Sequence, residues 1–91
     1  MKVSYPLILI NYKTYLESLG NRGILLAKTA ERVSTEYGIC MAVAPQLLDI
    51  QKIATEVSIP VFSQHLDPEP PGSHTGHVTP ESVKGAGACG T

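Results

Sequence analysis

Tryptophan is absent from this sequence, and Phe62 is its single phenylalanine. With only four tyrosines besides, a core built on large rings is excluded, so aliphatic side chains must supply the packing. An excess of either charge sign is missing too. A formal net charge of −1 gives no basic field, which argues against nucleic acid or an acidic membrane surface as a partner. A specific anion site stays open, because one or two placed cations can make one. Cysteine is scarce: Cys40 and Cys89 lie far apart and form no Cys-x-x-Cys pair. Buried, reduced thiols are expected at both, as in a cytoplasmic protein. No long hydrophobic run is present near the start either. Leu7–Ile10 follows Tyr5-Pro6 and closes on Asn11, too short for a signal sequence or a membrane span.

What is present is an alternation. The 91 residues allow one domain, 1–91. The unbroken apolar run Leu7–Ile10 is expected to be a parallel strand covered on both faces. Residues 21–37 carry a helical pattern, with Leu26, Ala30, Val33 and Tyr37 on the apolar face and Lys28, Glu31, Arg32 and Glu36 on the polar one. Gly38 is placed to stop that helix in a left-handed conformation. "CMAVAP" from Cys40 gives a second strand. "QLLDIQKIATEV" gives a second helix with Leu47, Ile50, Ala54 and Val57 on one face, and "IPVFS" a third strand. Thr79-Pro80-Glu81 reads as an N-cap, a proline in the first turn and an acid beside it, starting a third helix that Gly85 and Gly87 cut short. "GACGT" then opens a fourth strand. Strands alternating with helices predict an α/β fold with parallel strands and right-handed crossovers. Either an open sheet or a barrel of about 250 residues fits that order. Because the chain stops at the threshold of a strand, it is expected to be the N-terminal part of a barrel.

Two stretches suggest chemistry. In "INYKTYLESLG", residues 10–20, a buried strand runs into Asn11 and Lys13. A buried ammonium is costly, so Lys13 is expected at the strand's open end, where α/β folds hold their ligands. Period-two alternation puts Asn11 and Lys13 on one side, able to converge on an oxyanion, and turns Tyr12 the other way, into packing. The second stretch, "SQHLDPEPPGSHTGHV", is a long loop stiffened by Pro68, Pro70 and Pro71, with Gly72 and Gly76 allowing tight turns. Such a loop is suited to insertion into a partner. His65, His74 and His77 lack the spacing of a metal site, and no metal is expected. "GSHTGH" lacks the Lys-Ser/Thr ending of a phosphate loop. Asp67, Glu69 and Glu81 are expected to face solvent or to cap.

Together, "ILINYKTY", the Ala44-Pro45 pair and "SQHLDPEPPGSHTGHVTPESVKGAGACGT" resemble the triosephosphate isomerases, and within them the compact archaeal form. The resemblance runs along the whole chain in order and covers the first three to four βα units of a (β/α)8 barrel, breaking off at the start of strand four. It implies an aldose–ketose isomerase that needs no cofactor and takes a triose phosphate. It implies that Asn11 and Lys13 are catalytic, that Asn11, Tyr12 and Lys13 bind substrate, and that Gln64 supports them. Thr75, with His74 and Gly76, would enter the neighbouring subunit of a dimer or tetramer. The family's proton-transferring histidine and glutamate follow strands four and six, so the chain as it stands is expected to be inactive alone. Two other readings compete: a non-catalytic half-barrel that self-associates through the 64–77 loop, and a different sugar-phosphate barrel enzyme.

Overall fold

A computed structural model describes residues 2–91. Strand β1 (Leu7–Asn11) pairs in parallel with β2 (Cys40–Ala44), in a register that sets Leu7 beside Cys40 and Asn11 beside Ala44. Between them runs helix α1 (Asn21–Tyr37), the crossover that parallel pairing requires. Gly38 ends it at φ 66°, ψ 29°, its N–H donating to the Ser34 carbonyl at 2.9 Å. This is the left-handed cap foreseen at that position. After β2 comes a 3-10 turn at Leu47–Asp49, then α2 (Ile50–Glu56) and, beyond the long loop, α3 (Pro80–Gly85). The Thr79 hydroxyl accepts from the Ser82 N–H at 3.1 Å, as an N-cap should.

The expected third and fourth strands are reduced to single parallel bridges, Val43 with Val61 and Phe62 with Gly90. Pro60 has no N–H to donate, and the chain leaves the sheet at Ser63–Gln64. The bridges still continue the order, so β1, β2, residues 61–62 and residue 90 lie side by side.

The core is aliphatic. Ile24, Ala27, Ala30, Met41, Val43, Ile50, Ile53, Val57, Ile59, Val61, Val83 and Ala88 are buried together with one ring, Tyr12. Three expectations about burial need correction. The buried side of α1 is Gly23, Ile24, Ala27 and Ala30, while Leu26 and Tyr37 are exposed. Small residues win that face because they let the helix axis approach the sheet. Strand β1 is not covered on both faces either: Ile8 and Leu9 are 48% and 45% exposed, because β1 lies at the edge of the described sheet. Cys40 is half-buried and Cys89 exposed, both free thiols, so the burial expected at both holds only in part at the first and not at the second. Among the described residues, no helix is long and apolar enough to cross a membrane.

Candidate active site

The site begins where β1 ends. Beyond Asn11 the chain turns sharply, and Lys13 takes φ 52°, the only non-glycine residue with positive φ among those described. A left-handed lysine costs about 1–2 kcal/mol and persists only where its surroundings over-determine it. Here every main-chain polar group from the Tyr12 nitrogen to the Lys13 carbonyl is bonded. The Tyr12 N–H donates to the Ala44 carbonyl at 3.0 Å, extending the strand ladder by one residue. The Tyr12 carbonyl accepts from the Ser18 hydroxyl at 3.0 Å, and the Lys13 N–H donates to Asn11 Oδ1 at 2.9 Å. The Lys13 carbonyl accepts from Gln64 Nε2 at 3.0 Å.

Gln64 does more. Its second amide proton goes to the Ala44 carbonyl at 2.8 Å, so one side chain from the third strand position ties the ends of β1 and β2 together. Because both partners are carbonyls, the amide orientation is fixed by the network. The Lys13 ammonium is exposed and has no ion-pair partner among the described residues. Asn11 is exposed as well, and with Oδ1 spent on Lys13 its Nδ2 protons are the group left for a ligand. A cation and an amide donor thus stand at the carboxyl end of a parallel strand, held by bonds that leave their tips unengaged.

Tyr12, grouped by its motif with the substrate-binding residues, has a different place. Its ring is buried at 2% exposure and its hydroxyl donates to the Gly23 carbonyl of α1 at 2.7 Å. Its side chain therefore belongs to the core, as the alternation required, and does not face the ligand side. Ser18 and Gly23 escaped the sequence reading altogether. A Cβ on Gly23 would run into the Ser18 carbonyl and come within 3.2 Å of the Tyr12 ring. A glycine inside a helical pattern was the available signal of that close approach. Asp49 was likewise unassigned; it receives the Gly20 N–H at the start of α1 at 3.0 Å.

The long loop is closed at its neck. The Asp67 N–H donates to the Val78 carbonyl at 2.7 Å, and the Val78 N–H to Asp67 Oδ2 at 2.8 Å. That amide holds the Asp67 carboxyl below its usual range, helped by His65 at 3.2 Å. Further out, His74 lies 3.8 Å from Glu69 and its ring 5.8 Å from that of His77. Among the described residues no three His, Cys, Asp or Glu side chains gather as metal ligands would. Thr75 and Gly76 are exposed at the tip, Gly76 with φ 86°, and no hydrogen bond joins Thr75 to Asn11 or Lys13 within the chain.

Fold and site define a parallel α/β protein that presents an exposed cation and an amide donor at the carboxyl end of its first strand. The family model of triosephosphate isomerase matches residues 6–91. The triosephosphate isomerase of Methanocaldococcus jannaschii is 56% identical over 85 residues, that of Methanosarcina barkeri 54% over 86, and that of Pyrobaculum arsenaticum 44% over 88. These alignments take in 93%, 94% and 97% of this chain. The chain belongs to the triosephosphate isomerase family. It spans 39% of the length of each of those relatives.

Proposed function

We propose that the chain supplies the oxyanion-binding part of a triosephosphate isomerase, equivalent to the first three to four βα units of an eightfold barrel. The reaction interconverts D-glyceraldehyde 3-phosphate and dihydroxyacetone phosphate. A base takes the proton next to the carbonyl, and the resulting enediolate regains it on the adjacent carbon. Lys13 would balance the phosphate and the charge growing on the enediolate oxygen, while Asn11 Nδ2 donates to that oxygen. Gln64 keeps both in place. The observation that carries this reading is the locked, left-handed Lys13 with its ammonium exposed. A cytoplasmic setting in glycolysis and gluconeogenesis goes with the reaction, and no cofactor is needed for it.

The family's base and electrophile follow later strands, so the 91-residue chain should bind a triose phosphate without turning it over. Titration with dihydroxyacetone phosphate, followed by amide NMR, is expected to shift Asn11, Lys13 and Gln64. Lys13→Ala should remove those shifts and leave the far-ultraviolet circular dichroism unchanged. Turnover by the purified chain, made in a host lacking its own isomerase, would overturn the residue assignment; a titration that moves nothing would overturn the binding.

Self-association belongs to the same proposal. Thr75, between His74 and Gly76, would enter a neighbouring subunit and brace its Asn11 and Lys13. The closed neck and exposed tip of the 64–77 loop support this. Thr75→Arg should lower the sedimentation coefficient. A chain that associates through the loop yet ignores triose phosphate would favour the non-catalytic half-barrel.

A further inference from the structure

We infer that Ser18 is a positioning residue for Lys13, acting by preventing reversal of the peptide unit between Tyr12 and Lys13. The functional weight of this rests on the reading of Lys13 given above; the geometry does not. The Tyr12 carbonyl and the Lys13 N–H are the two ends of one planar unit. Turning that unit over changes ψ of Tyr12 and φ of Lys13 in opposite senses and leaves the flanking chain in place. It is the shortest path by which Lys13 can leave φ 52° for the negative values that lysine prefers.

Only two bonds oppose the reversal. Asn11 Oδ1 holds the N–H end at 2.9 Å, and the Ser18 hydroxyl holds the carbonyl end at 3.0 Å. The bonds from Ala44 and Gln64 act on the neighbouring units and would survive it. The Asn11 bond is exposed, open to competition from water and from a ligand on the same side chain. The Ser18 bond is buried. Ser18 is itself only 7% exposed, and its one hydroxyl proton is shared with the Tyr15 carbonyl at 3.1 Å. The two carbonyls compete for that proton, and Tyr12 is the nearer of them. Ser18 in turn is seated by α1, which approaches closely because residue 23 has no side chain. The helix thus acts on the lysine through a serine.

Ser18→Ala tests this against Ser34→Ala, which removes a hydroxyl bonded to the Ile39 carbonyl at 2.6 Å at the far end of α1. Two quantities are read in the 91-residue chain: the HN–Hα coupling and residual dipolar couplings of Lys13, which report its φ, and the affinity for dihydroxyacetone phosphate. In Ser18→Ala, Lys13 is expected to leave the left-handed region and affinity to fall on the order of tenfold, the scale of one buried hydrogen bond. Ser34→Ala should change neither. If Ser18→Ala does not fold, Ser18→Cys, similar in shape but a weak donor, is read the same way. Unchanged Lys13 couplings in the Ser18 variant, or equal changes in both variants, would overturn the inference. Couplings that move only in the Ser18 variant, in a chain that never binds triose phosphate, would uphold the positioning and remove the proposed function.

Discussion

Burial keeps the Tyr12 phenol neutral, and its pKa is pushed up from 10.0 to about 12. Because the folded value lies above the unfolded one, this contribution to stability is complete below pH 10 and is lost as pH rises toward about 12. Tyr12→Phe should flatten that alkaline loss and lower stability at neutral pH by about 1 kcal/mol, the hydrogen bond to Gly23 being gone. Denaturant melts across pH check both. Residue by residue, the sequence was readable where a single rule applied. Alternation turned Tyr12 inward, and the cost of burying an ammonium put Lys13 outside. It was unreadable where the cause lay in another segment. Nothing in Asn-Tyr-Lys announces that Ser18, at 3.0 Å, holds the carbonyl between them.

Elements were legible as extents and less so as faces. Helix α1 spans the residues its pattern indicated, and Ala30 lies inward as that pattern has it, yet the rest of its inner side is Gly23, Ile24 and Ala27, of which the two small residues escape a search for bulky apolar ones. Its polar side is also partly engaged: Glu31 accepts from the Ser58 N–H at 2.5 Å and hydroxyl at 2.6 Å, which lowers its pKa. Gly23→Ala should therefore destabilise the protein by about 1–3 kcal/mol through overpacking, despite the better helix propensity of alanine; a thermal melt decides. In the long loop, Asp67 is the closing element. Its folded pKa is lowered, so its contribution is present above the ordinary carboxylate range and is lost as pH falls through the folded value. Protection of the Val78 amide from hydrogen exchange should fall with it, and Asp67→Ala should abolish that protection at neutral pH.

At the scale of the whole molecule, the pairing order was legible and the degree of covering was not. Parallel strands need crossover helices, and the sequence carries them. Whether a strand is covered depends on what lies beside it, which a strand's own residues do not reveal. Ile8 and Leu9 stay exposed on opposite faces of β1, and the main chain along the edge of β1 is a template for pairing with further strands. Leu9→Lys should raise the concentration at which light scattering by the purified chain sets in. The clasp made by Gln64 has a different consequence, in biosynthesis. Gln64 stands 51 positions after the Lys13 carbonyl that it grips. A ribosome adding about 5–20 residues per second takes roughly 3–10 s to cover that distance. For that interval the residues of the lysine turn are synthesised but lack their clasp, and a nascent chain paused before Gln64 would have no means of completing it.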